Sequence, residues 1–345
     1  MNTLYTMPAE WEKQEAIWLG WPHQKRDWPG KFAPIPHVYT EILRHITATQ
    51  KVNLLVRSEV EKAKTLALCD YGNVDTSRMH FFTIPTNRVW LRDSGPIFVR
   101  DTKGKKLMLD WRFNAWAKYP DHKLDDKVPE QINAIYRIPR IQPVHKGKRV
   151  VLEGGAIEVN GKGSIIVTEE CLQSDVQVRN PGFTKKDYEE VFTKYLGAHN
   201  TIWLGHGIVG DDTHGHIDDI TRFVSANTII TVVEKNKKDD NHALLANNAK
   251  RLKAARDEKG KPFTIVELPM PKPVVYEGQR LPASYANFLI TNKQVLVPTF
   301  NDAADRDALN ILAECFPTRE IVGIHSVDLV WGLGTIHCMS QQEPA

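Results

Sequence analysis

The sequence predicts an α/β protein of repeated units, and three observations carry that prediction. Strand-like apolar runs alternate with helix-like stretches along the 345 residues. Four times the chain runs strand, short polar turn, strand. Ahead of each hairpin stands a compact polar station, and the stations recur at intervals of about 61 residues. Equivalent positions in a ring of such units converge on its axis. A single domain over residues 1–345 with one central cleft is therefore expected.

The elements follow in order. Residues Glu15 to Pro22 read as a short buried strand stopped by proline. A loop carrying Pro29, Pro34 and Pro36 leads to a helix from about Val38 to Thr49, then to strands at Val52 to Val56 and Met79 to Ile84. The hairpins are Pro96 to Val99 with Leu107 to Trp111, Ala156 to Val159 with Ser164 to Thr168, Ile220 to Val224 with Thr228 to Val233, and Asn287 to Ile290 with Gln294 to Pro298. Asn160-Gly161 is the strongest turn signal, because both residue types tolerate positive φ. Helices are expected at Lys185 to Tyr195, Asp239 to Arg256 and Asp302 to Cys315. The first of these follows Thr184, with Asp187 placed to complete a capping box. The opening strand is the natural partner for the C-terminal segment.

Composition narrows the function classes. The net charge is +3, and 25% of residues are charged against 41% apolar, ordinary values for a soluble globular protein. The lysine cluster at 235–238 suits a solvated loop better than a nucleic-acid groove. No apolar run approaches the length of a membrane span, and residues 1–18 lack the apolar core of a secretion signal. The four cysteines, Cys69, Cys171, Cys315 and Cys338, are widely spaced, with no zinc-ligand pattern. Free thiols in a reducing cytoplasm are expected.

The stations are Arg92-Asp93, Glu153, His216-Ile217-Asp218 and Ser284-Tyr285, and the same interval ends on Cys338. Each has an ordinary structural reading: a buried thiol, an ion pair at a strand start, a turn cap. Together they do more. A thiolate becomes a nucleophile beside a base or cation. A histidine shuttles protons near neutral pH. Several carboxylates facing one cavity are costly unless they meet a cation. These parts suit a flat, electrophilic cation, a guanidinium, whose paired N–H groups two carboxylates can accept. The rival is a metal site on Asp211 to Asp219, where His214, His216 and Asp218 would share one face of an extended segment. Gly332 and Gly334, ahead of Cys338, offer positive φ or close approach.

Motifs along nearly the whole chain carry a family resemblance. They include Met7-Pro8-Ala9-Glu10-Trp11-Glu12, Trp90-Leu91-Arg92-Asp93-Ser94-Gly95-Pro96, Leu152-Glu153-Gly154-Gly155, Thr168-Glu169-Glu170-Cys171-Leu172, Gly215-His216-Ile217-Asp218-Asp219, Leu281 to Phe288, and Gly334 to Gln342. The chain resembles the agmatine deiminases, grouped with the Porphyromonas-type peptidylarginine deiminases in the guanidine-modifying (pentein) superfamily. The resemblance implies a five-bladed, pseudo-symmetric α/β propeller of repeated ββαβ units. It implies hydrolysis of agmatine to N-carbamoylputrescine and ammonia, without a cofactor or metal. Cys338 is then the nucleophile and His216 the general acid and base. Asp93 and Asp218 clamp the guanidinium, and Glu153 serves a substrate nitrogen or His216. Trp90 walls the site, with Trp116, Tyr119 and His214 as candidates for the distal end of the substrate. The alternatives within this chemistry are peptidylarginine or free arginine as substrate; outside it stands a metal-dependent amidine hydrolase. The partner implied is a small cationic guanidine, with neither nucleic acid nor membrane, and a homodimer or higher homo-oligomer is left open. Two positions depart from the family's usual pattern: His214 replaces Asp or Asn, and Gly332-Leu333-Gly334 replaces an all-glycine run, which should stiffen the loop.

Overall fold

Five mixed sheets repeat one plan in the computed structural model, which describes residues 4–345. Each pairs two strands antiparallel and adds at least one parallel strand. Thr221–Phe223 pairs antiparallel with Thr228–Val233, the chain crosses over through the helix Asn241–Ala254, and Thr264–Pro269 returns parallel. Glu158–Val159, Ser164–Thr168, the helix Lys185–Leu196 and Asn200–Leu204 repeat this order, as do Leu289–Ile290, Gln294–Thr299, the helix Ala304–Cys315 and Glu320–His325. Another sheet adds Tyr5–Thr6 beside Ile97–Asp101, Lys106–Leu109 and Arg140–Ile141. In the remaining sheet the antiparallel partner comes from far along the chain. Gln14–Gly20 lies between Ser340–Pro344, antiparallel, and Lys51–Val56, parallel, with Met79–Thr83 outermost. The expected meeting of the opening strand with the C-terminal segment is thus present.

Local sequence explains the elements. Ser164–Thr168 and its counterparts are continuous apolar runs because a crossover helix covers the sheet they belong to. The helix Ile35–Thr47 starts earlier than expected, with Pro36 tolerated in its first turn, and buries Ile35, Tyr39, Ile42, Leu43 and Ile46 along one stripe. Lys185–Leu196 opens on the full Thr184/Asp187 capping box and closes on left-handed Gly197. The helices Glu59–Tyr71 and Val128–Tyr136 had no clear signal. The first buries only Thr65 and Cys69, too little for a visible apolar period. Asn160-Gly161 is part of a longer loop: the Asn160 side chain accepts from the Lys162 and Ser164 amides, and positive φ falls on Gly161 and Gly163.

The polar stations share one local form. A single helical turn precedes the first strand of three hairpins: Leu91–Ser94, Gly154–Ala156 and Ile217–Asp219. The first packs beside the second, and the second beside the third. Segments far apart in sequence are gathered by this repetition. No helix among the described residues is long and apolar enough to cross a membrane.

Candidate active site

A cavity of about 400 Å³ opens above these turns. Trp90, Asp93, Trp116, Gly332, Leu333, Gly334 and Cys338 line its inner part; Asp27, Arg88, Tyr119, Asp121 and Asp212 line the rest, with Arg26, Pro120 and Thr213.

Cys338 is buried at its floor. The Asn287 amide donates to its Sγ at 3.0 Å, and Sγ faces Asp218 Oδ2 at 3.7 Å. Burial, then the carboxylates of Asp218, Asp219 and Asp93, push this thiol well above the ordinary cysteine range. The resting side chain is therefore a thiol, and a bound cation is what would favour its ionisation. The glycines ahead of it are there for space. A Cβ on Gly332 would come within 2.6 Å of the Trp28 ring, and one on Gly334 within 2.9 Å of Trp90. The positive φ instead falls on Leu333, at 64°, a conformation that disfavours a side chain bearing Cβ.

Asp93 accepts from the Gly155 amide at 3.0 Å and from the Trp116 indole at 2.9 Å. Burial, joined by Asp218 and Glu153 and opposed by His216, raises its carboxyl to about 6. His216 is fully buried, its Nδ1 is 3.7 Å from Asp93, and neither ring nitrogen makes a hydrogen bond. Burial favours the neutral ring, but Asp93, Cys171 and Asp218 outweigh it, so protonated His216 persists well above the usual histidine range.

Asp218 is buried, yet held ionised by His337, whose Nδ1 is 2.7 Å away, with His216 and Arg222 adding to the effect. Glu153 lies behind the cavity wall, not on it. Its Oε1 accepts from Arg179 at 2.9 Å, and its Oε2 is unpartnered near His216 and Cys171. Arg92 forms no pair with Asp93; it reaches the backbone of His337 and the side chain of Gln342.

The roles of Asn287, His337, Glu10 and Arg222 carried no clear signal in the sequence, whereas Trp116, Tyr119 and His214 are candidates named from it. Asn287 donates to Cys338 and to Asp219 while accepting from Thr335. His337 bridges Asp218 and Glu10, and Glu10 in turn meets Arg222 at 2.7 Å. Trp116 takes a left-handed backbone, φ 57°, to reach Asp93. His214 does not line the cavity: its ring faces Ser174 at 3.0 Å and Glu170 at 3.9 Å. Tyr119 does line it and donates to Asp212 at 2.7 Å.

Two buried groups bring potential metal ligands within 4.8 Å of one another, Glu153 with Cys171 and His216, and Asp218 with Asp219 and Cys338. The set proposed from sequence, His214 with His216 and Asp218, is not assembled, because His214 turns away. In the first group the Arg179 guanidinium on Glu153 opposes a cation. In the second, Asp218 and Asp219 already bond His337 and Asn287. What the floor presents instead is the Cys338 thiol and the Asp93 carboxylate, with protonated His216, Asp218 and Asp219 packed behind them.

Comparison with known proteins follows from this geometry. The family model of Porphyromonas-type peptidyl-arginine deiminase matches residues 6–344. The agmatine deiminase of Stutzerimonas stutzeri (strain A1501) is 33% identical over 364 residues, covering 99% of this chain and 96% of that protein. The agmatine deiminase of Enterococcus faecalis, solved catalysing its reaction, superposes with a TM-score of 0.89 at 29% identity, covering 100% of this chain and 98% of that one. A cysteine-to-serine variant of C. jejuni agmatine deiminase with substrate bound gives 0.88 at 29% identity, covering 99% and 97%. The chain belongs to the Porphyromonas-type peptidyl-arginine deiminase family.

Proposed function

We propose, from that membership and the cavity floor, that the chain is an agmatine deiminase, hydrolysing agmatine to N-carbamoylputrescine and ammonia. The observation that carries the reading is the floor itself: Cys338 and Asp93 face one cavity, with Asp218, Asp219 and His216 packed against them. Asp93 and Asp218 take the N–H groups of the guanidinium, and Trp90 lies against its face. The cation offsets the carboxylates that hold the Cys338 thiol neutral, so its proton passes to solvent as substrate arrives, matching the one that later makes ammonium of the departing ammonia. Sulfur then forms a bond to the guanidinium carbon. Protonated His216 gives its proton to one nitrogen, the C–N bond breaks, and ammonia departs, leaving a thiouronium on Cys338. Neutral His216 next takes a proton from water, the hydroxide adds to the same carbon, and the C–S bond breaks as the hydroxyl proton passes to sulfur, restoring the Cys338 thiol and protonated His216. A guanidinium cation and a water have become a neutral ureido group and ammonium. Glu153, with its bare Oε2 toward His216, steadies that ring.

The same reading takes the five sheets as blades of a five-bladed α/β propeller in one domain, supported by their common strand order and by the pairing of Gln14–Gly20 with Ser340–Pro344. It places the enzyme in a reducing cytoplasm, in keeping with four free cysteines. Peptidylarginine and free arginine fit less well. Arg88, the less exposed of the two arginines lining the cavity, is already bound by Asp27 and Asp121 and so is not free for a carboxylate. The test is turnover of agmatine, arginine and a blocked arginine peptide, with acid quench and mass spectrometry of the peptide bearing Cys338. Ammonia from agmatine together with a thiouronium adduct on Cys338 is expected. Turnover without that adduct, or faster turnover of arginine, would overturn the reading.

A further inference from the structure

His216 is held by its backbone and not by its ring. Asp211 Oδ2 accepts from the Gly215 and His216 amides at 2.8 and 2.9 Å, and the Thr168 hydroxyl donates to the Gly215 carbonyl. Both ring nitrogens are buried without a hydrogen-bond partner. A buried imidazolium lacking an acceptor is costly, so the groups beside the ring decide whether it keeps its proton. Asp93 lies 3.7 Å from Nδ1. A ring nitrogen, a Glu153 carboxylate oxygen and the Cys171 sulfur all lie within 4.8 Å of one another. Asp218 and Asp219 act from farther along the same segment. Burial opposes the charged ring, and Asp93, Cys171 and Asp218, in that order, offset it.

These neighbours differ in what a bound substrate does to them. Glu153 is paired with Arg179 inside the protein, which offsets its charge at the source. Asp93 and Asp218 meet the guanidinium, whose positive charge works against an imidazolium. Cys171 is 2% exposed and is not part of the cavity lining, so substrate leaves it untouched. Arg179 and Tyr188 face its sulfur from the other side. Its place is also fixed. The Cys171 amide donates at 3.1 Å to Thr168 Oγ1, the same hydroxyl that donates to Gly215. A Cβ on Gly215 would come within 2.9 Å of Glu170 Cβ. The helical turn Glu169–Gln173 is therefore tied to the backbone just ahead of His216.

We propose that Cys171 is a positioning residue for His216, its sulfur receiving a ring N–H so that the imidazolium stays oriented and ready to give its proton while substrate occupies the carboxylates. The inference rests on the agmatine reading above and adds a second, buried cysteine to the reaction. The test follows kcat for agmatine against pH in wild type, Cys171→Ala, Cys171→Ser and Cys69→Ala, because kcat reports the groups of the substrate complex. Cys171→Ala should move the alkaline limb of kcat down by about one pH unit, a loss of about tenfold on that side, the value of one hydrogen bond to a charged group. KM should stay within about threefold, since the sulfur does not touch substrate. Cys171→Ser keeps an acceptor and should recover at least about half of the shift. Cys69, buried on the helix Glu59–Tyr71, controls for loosening of the core, and Cys69→Ala should leave the limb in place. Should Cys171→Ala fail to fold, Cys171→Val fills the space without an acceptor and carries the same expectation. An unmoved limb, a loss confined to KM, serine behaving as alanine does, or an equal shift in Cys69→Ala overturns the role of Cys171. Absence of ammonia from agmatine with wild type overturns the agmatine reading beneath it.

Discussion

The floor and the mouth of the cavity are both acidic, but they are held differently. At the floor, Asp93 is fixed by a backbone amide and an indole, and Asp218 by His337, which leans on Glu10. At the mouth, Asp121 and Asp212 are held by the side chains of Arg26, Arg88 and Lys118, and those of Arg26 and Lys118 are exposed to solvent. Buried groups with fixed partners set the positions on which bond making depends. Ion pairs at a rim are worth little individually and can yield to a ligand's charge. On the function proposed above, bond making belongs to the floor, while the rim pairs leave the mouth free to adapt to a ligand.

Substitutions break or sharpen that contrast in decreasing order. Cys338→Ala should remove about 10⁴-fold or more of kcat with agmatine while the thermal midpoint stays near wild type, read by ammonia release and calorimetry. Asp93→Asn should cost about 10²–10³-fold. The same carboxyl, raised to about 6, predicts that wild-type kcat/KM climbs with pH through about 6 and levels above it, since the clamp works ionised. Its raised value means that the folded protein binds this proton more tightly than the unfolded chain. Asp93 therefore lends stability at acid pH that is lost as pH rises through about 6, and the slope of a melting series should lessen in Asp93→Asn. Gly155→Ala tests the wall between them: a Cβ there would lie 2.5 Å from His216 Nδ1 and 2.9 Å from Asp93 Oδ1. Displacing both should cost about 10²-fold in kcat. His214→Asn is the smallest. His214 faces Ser174 with φ 66°, a conformation asparagine adopts readily, so kcat/KM should change within about threefold.

Much of the site is legible in the sequence because repetition is. Equal spacing is enough to connect Asp93, Glu153, His216 and Cys338 before any contact is known. The spacing puts the fourth station at Ser284-Tyr285, whereas the side chain that reaches Cys338 is Asn287, two residues past Tyr285. An asparagine before an apolar strand looks like a turn residue, and nothing local says that its amide crosses to a sulfur. His337 was hidden by its neighbour: beside a cysteine nucleophile it reads as part of the lead-in, although it is the bridge from Asp218 to Glu10. Glu10 and Arg222 lie far apart in the chain, and only the fold makes them partners. His214 failed for the opposite reason. The extended segment expected there is instead a left-handed turn, so alternation no longer decides which way the ring points.

The strand Ser340–Pro344 begins two residues after Cys338 and lies against Gln14–Gly20, a segment synthesised near the start of the chain. While the rest emerges from the ribosome, the edge of Gln14–Gly20 has no antiparallel neighbour and is open to stray pairing. The nucleophile is seated by the same event that covers this edge. Maturation of the catalyst and the covering of this strand edge therefore coincide, and a nascent chain cut short before Ser340 would be inert and would leave the edge open.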